Sequence, residues 1–148
     1  MTSRGKSLLV ILALLLPAAS FASAAEVEWD QVRVAALARD LIEPLEALRK
    51  DLESQPPVPE KEEARAAVMN DVDLLHSRAS ELAHRLASGA GRADTVALFI
   101  EFEALQKQAT MHSRKYPAPF DMKGHIDRLE TTARELARYY RESSGVPR

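Results

Sequence analysis

Residues 68–86 read Val68-Met69-Asn70-Asp71-Val72-Asp73-Leu74-Leu75-His76-Ser77-Arg78-Ala79-Ser80-Glu81-Leu82-Ala83-His84-Arg85-Leu86. Val68, Val72, Leu75, Ala79, Leu82 and Leu86 recur at alternating steps of four and three, which is one face of an α-helix. Such a narrow stripe leaves water only by packing against similar stripes, with helices crossing at about 20°.

Three more segments carry the same spacing. Val34, Ala38, Leu41, Leu45, Leu48 and Leu52 form one stripe. Leu98, Phe102, Leu105 and Ala109 form another, with His112 next in phase. Met122, Ile126, Leu129, Ala133, Leu136 and Tyr140 form the last. No stretch alternates with period two for long enough to suggest a sheet. The pattern predicts an all-α fold, an antiparallel up-down-up-down four-helix bundle with helices near 26–53, 60–88, 92–115 and 121–143.

The breaks agree with that count. Pro56, Pro57 and Pro59 interrupt the helical pattern, because proline lacks the N–H and restricts the residue before it. Pro59 suits a first helical turn, where Glu60, Glu62 and Glu63 complement the dipole. Gly89 and Gly91 offer a left-handed cap after the second helix. Pro117 and Pro119 end the third, and Asp121 is a candidate N-cap for the fourth. Pro44 falls inside the first stripe without changing its phase. It reads as a kink, with a split into two helices as the alternative.

The N-terminal residues read as an export signal. Arg4 and Lys6 precede the apolar run 8–16, Pro17 breaks it, and Ala22-Ser23-Ala24 fits a small-residue cleavage site. The run is short for a membrane span. The expectation is a signal peptide over 1–24, cleaved to leave a bundle at 25–148, with no stable membrane insertion. The arginine-over-lysine and alanine-rich composition resembles that of a GC-rich bacterial gene, so the periplasm, or secretion, is the expected destination.

Cleavage would remove two positive charges and take the net charge from -2 to about -4. That mild acidity argues against nucleic acid as a partner. The chain has no cysteine, so an exported domain must fold on its core alone. Thiolate metal sites and covalent haem attachment are excluded as well.

Chain connectivity gathers Met69, Met111, His112, Met122 and His125 at one bundle end. Thioether and imidazole together suit copper, or an iron with mixed axial ligands. The plainer reading makes the methionines core filler and places His112 near a helix C-terminal dipole. Asp73 with His76 and Glu81 with His84 have the spacing of di-iron ligands, but both pairs lie on one helix, as on a solvated face. Trp29, Tyr139 and Tyr140 gather at the opposite end, to line a cleft or to close the bundle. No catalytic motif is present, so the chain reads as a non-enzyme.

Leu129-Glu130-Thr131-Thr132-Ala133-Arg134-Glu135-Leu136-Ala137-Arg138-Tyr139-Tyr140-Arg141 resembles the final helix of the soluble four-helix cytochromes, cytochrome b562 and its c′ relatives. The likeness lies in Leu129-x-Thr131-Thr132 and in Tyr140-Arg141. The start, Ala25-Glu26-Val27-Glu28-Trp29-Asp30-Gln31, looks like that family's opening. The resemblance implies the four-helix fold and export. It places the family's haem-ligating histidine at Ala137 and its methionine at Gln31, and the haem-attaching cysteines of the c′ relatives at Ala133 and Leu136. Without those ligands the expected cofactor is none, with haem b or copper on the His/Met cluster as the alternative. The expected function is then a non-enzymatic bundle binding a partner protein or a small ligand. The alternative is a haem- or copper-carrying protein. A helical chaperone, which would need an exposed concave apolar face, fits the narrow stripes less well.

Overall fold

The computed structural model describes residues 27–116 and 120–141, with the Phe120 side chain left aside. The signal-peptide reading of 1–24 lies outside the described residues. Among them the chain is all helical, and no strand forms. Its segments are α1 (Gln31–Asp40), α2 (Ile42–Ser54), α3 (Glu62–Ala87), α4 (Arg92–Ser113) and α5 (Lys123–Arg141). Single 3-10 turns, Pro59–Lys61 and Phe120–Met122, precede α3 and α5. Four helical rods result, because α1 and α2 are one helix broken at one residue.

Pro44 causes that break. It has no N–H to offer the carbonyl of Asp40, four residues back, and regular helix stops there. Leu41 keeps right-handed helical angles (φ -73°, ψ -25°) and is fully buried, so the apolar stripe runs through. The first rod begins at Gln31, where the Asp30 side chain accepts from the Arg33 N–H at 2.9 Å. Gly89 alone has a positive φ among the described residues (91°) and turns the chain after α3. Asp121 sits inside the 3-10 turn before α5, so that turn occupies the place where a cap was expected.

The core collects all four stripes. Leu41, Leu75, Phe102 and Leu129, one from each rod, are buried in a single apolar cluster. α3 packs against α1, α2 and α4, while α5 packs against α1 and α2. α4 and α5 touch only sparsely. The reason lies in α4. Thr95, Leu98, Phe99 and Phe102 are its buried residues, and none follows Phe102. Leu105 and Ala109, on the predicted stripe, are only half-buried. Phe99, one position off that stripe, is buried instead.

Candidate functional site

One end of the molecule is an aromatic plug. Tyr140 at the end of α5 stacks on Phe99 of α4 (ring centroids 4.3 Å, planes 5° apart). Trp29 meets Tyr140 edge-on at 5.4 Å. The Arg92 guanidinium lies 5.2 Å from the Trp29 ring centre, and its buried Nε has no hydrogen-bond partner. The Tyr140 hydroxyl shares a 2.8 Å hydrogen bond with the Thr95 hydroxyl. Burial raises the Tyr140 pKa above its ordinary value, opposed by Thr95 and Arg92.

Gln31 ties this end together. Its amide donates to the carbonyls of Leu86 (2.7 Å) and Ala90 (3.0 Å), and its oxygen accepts from the Trp29 indole (2.9 Å). Ala137, the position that the cytochrome resemblance assigns to histidine, is a buried methyl in the core. A committed amide and a methyl do not fit an axial ligand pair for iron.

The other expected cluster divides among several partners. His112 donates Nδ1–H to Asp71 Oδ2 at 2.6 Å, and Gln108 donates to Asp71 Oδ1 at 2.8 Å. Asp71 on α3 is fully buried, while the His112 side chain on α4 is 37% exposed. His125 lies 3.6 Å from Asp51. Met122 is buried, with its sulfur 3.9 Å from the Gln55 amide nitrogen. Met69 packs half-buried against the core, and Met111 is 58% exposed. Among the described residues no three His, Asp or Glu side chains are arranged to hold a metal ion.

Asp71 was not singled out from the sequence. The available signal was its phase, three residues after Val68 and four before Leu75, beside a stripe whose facing helix carries His112. A buried carboxylate needs donors, and Gln108 and His112 provide them.

Toward the end that holds Met122, away from the aromatic plug, lies a cavity of about 130 Å³. Its buried wall is Leu45, Leu48 and Leu52 of α2, Val68, Val72 and Leu75 of α3, Tyr116, Met122 and Leu129. Its rim carries Gln106, Ala109, Thr110 and Ser113 of α4, facing Ile126 and Glu130 of α5. Small and polar residues stand there where a bundle interior calls for large apolar ones. An open groove of about 360 Å³ along the α4–α5 seam adjoins the rim, with Gln106, Thr110 and Glu130 lining both. That groove adds Glu103, Lys107, Ala133, Arg134, Ala137 and Arg141. No apolar stripe in the sequence marks this site. Its signal was the change in α4 from phenylalanine and leucine to Gln106, Ala109, Thr110 and Ser113.

Two measurements probe these arrangements. His112→Ala removes one of two donors from the buried Asp71 carboxylate and should lower unfolding free energy in urea by about 2–3 kcal/mol. Adding Asp71→Asn to that variant should restore part of the loss. Tyr140→Phe should cost about 1 kcal/mol at neutral pH, through the lost Thr95 bond. The folded chain holds the Tyr140 proton more tightly than the unfolded chain. Parent stability is therefore complete below the unfolded tyrosine value of about 10 and falls as pH rises through the folded one. The alkaline decline should be shallower in Tyr140→Phe.

Compared with known proteins, the chain matches no family model, no curated protein and no solved structure.

Proposed function

We propose that this chain is an exported, non-enzymatic four-helix protein that binds a small ligand with an apolar group in the cavity beside the α4–α5 seam. The observation that carries the reading is the cavity itself. Its buried wall is almost wholly hydrocarbon, so it holds an apolar group by excluding water and supplies little chemistry to transform it. Its size approaches that of the roughly 150 Å³ apolar cavity that stays dry and takes benzene.

The topology we infer is antiparallel, up-down-up-down. Two sets of hydrogen bonds support it. Gln31 at the start of the first rod reaches Leu86 and Ala90 at the end of α3. Arg65 near the start of α3 donates to the Leu52 carbonyl near the end of α2, at 3.2 and 2.8 Å. Export is supported by the charged start, the apolar run 8–16 and the small residues at 22–24. No helix among the described residues is long and apolar enough to cross a membrane. Descent from the four-helix cytochromes, with the haem-ligand positions given over to packing and clamping, is compatible with the helix count and the place of Tyr140.

Thermal unfolding in the presence of benzene tests the cavity. Benzene at about a hundred times its dissociation constant should stabilise the parent by about 2.7 kcal/mol. Ala109→Leu, which places a larger side chain at the rim, should fold with equal or greater stability and lose the benzene effect. No shift in the parent would refute the ligand reading. Mass spectrometry of the chain expressed in a bacterium with its own export machinery should find residues 1–24 removed; an intact N-terminus would refute export.

A further inference from the structure

Resting on that reading, we propose that the ligand is an amphipathic anion, its short hydrocarbon portion in the cavity and its charged head in the adjoining groove. Two observations combine. The first is size. About 130 Å³ is well below the roughly 300–1,000 Å³ of typical ligand pockets, so the cavity alone takes only a ring or a short alkyl segment. The rest of a larger ligand must lie where the cavity opens, and the shared rim of Gln106, Thr110 and Glu130 leads into the groove.

The second is charge. The groove holds Lys107, Arg134 and Arg141 against Glu103 and Glu130, a net of one positive charge. Arg141 is already committed to Glu103 at 2.9 Å. Lys107 and Arg134 make no ion pair or side-chain hydrogen bond among the described residues. Two free cations therefore flank the seam from opposite helices, one on α4 and one on α5. Glu130 stands at the rim, common to cavity and groove. Its charge disfavours an anion held at the rim and places the head farther along, toward the cations. An alkyl or aryl carboxylate has this chemistry, and a single sulfate or phosphate ester shares it. The Gln106 and Thr110 side chains add uncharged hydrogen-bonding capacity along the path.

The binding energy then divides by location. Burial of the hydrocarbon supplies affinity that grows with each CH₂ removed from water. The cations supply discrimination between heads and are sensitive to salt, because they are exposed.

An eight-carbon series on the purified chain separates the two contributions. Octanoate, 1-octanol and octylammonium share a tail and differ in head. Calorimetric titration should give octanoate about tenfold tighter binding than 1-octanol, with octylammonium weaker than both. Lys107→Gln with Arg134→Gln changes two exposed residues outside the core. That double variant should bring octanoate to the level of 1-octanol and leave 1-octanol unchanged. Raised salt should weaken octanoate alone. Octylammonium binding as tightly as octanoate, or an unchanged octanoate affinity in the double variant, would overturn the anionic head while leaving the cavity reading intact. Failure of all three compounds to bind would overturn both, and would agree with an absent benzene effect. Octyl sulfate and octyl phosphate, titrated alongside, identify which anionic head binds tightest.

Discussion

Each rod carries an apolar stripe too narrow to bury itself, so every stripe depends on its neighbours, and α3 joins the first rod to α4. Without cysteine, mutual burial has to hold the four together. Most of the molecule meets the condition: Leu41, Leu45, Leu52, Leu75, Leu82 and Leu136 are almost completely shielded. The second half of α4 does not. Past Phe102 it offers no side chain that the core can enclose, and the opening that results is the cavity.

Polar contacts decide register more than stability. Arg128 grips Glu43 through two bonds of 3.1 and 2.8 Å, Arg49 meets Asp73 and Arg78 meets Glu101, while Arg33 pairs with Glu135. All these pairs reach solvent, where each contributes about 0–1 kcal/mol. They link α2 with α5, α2 with α3, α3 with α4, and α1 with α5. Asp71 is a different case. Its burial is tolerable only while Gln108 and His112 face it, so α3 and α4 have little freedom to slide past each other.

Helix number and the buried faces of α2, α3 and α5 were legible in the sequence, because their stripes have an unbroken period. The Pro44 break was readable from backbone chemistry alone, although not whether it would kink or divide the helix. α4 was harder. Phe99 and Phe102 both have bulk enough to enter the core, and position relative to Tyr140 decides that Phe99 is enclosed while Leu105 is not. The cavity depends on distances between helices that no local pattern encodes. The Asp71 partner of His112 was not legible, since periodicity says nothing of a carboxylate on the neighbouring rod. Gln31 looked like a lost ligand, where the folded chain gives it three hydrogen bonds.

Those three bonds have a mechanical consequence. One amide joins the N-terminal entry of the chain to the last carbonyls before and within the α3–α4 turn, 55 and 59 residues away. Tension applied at the residues preceding α1 is thereby shared with the far side of the molecule instead of peeling the first rod outward from its end. Fraying that would begin at Asp30 in an unanchored helix must first shear the Gln31 fastening and lift Trp29 from its rings.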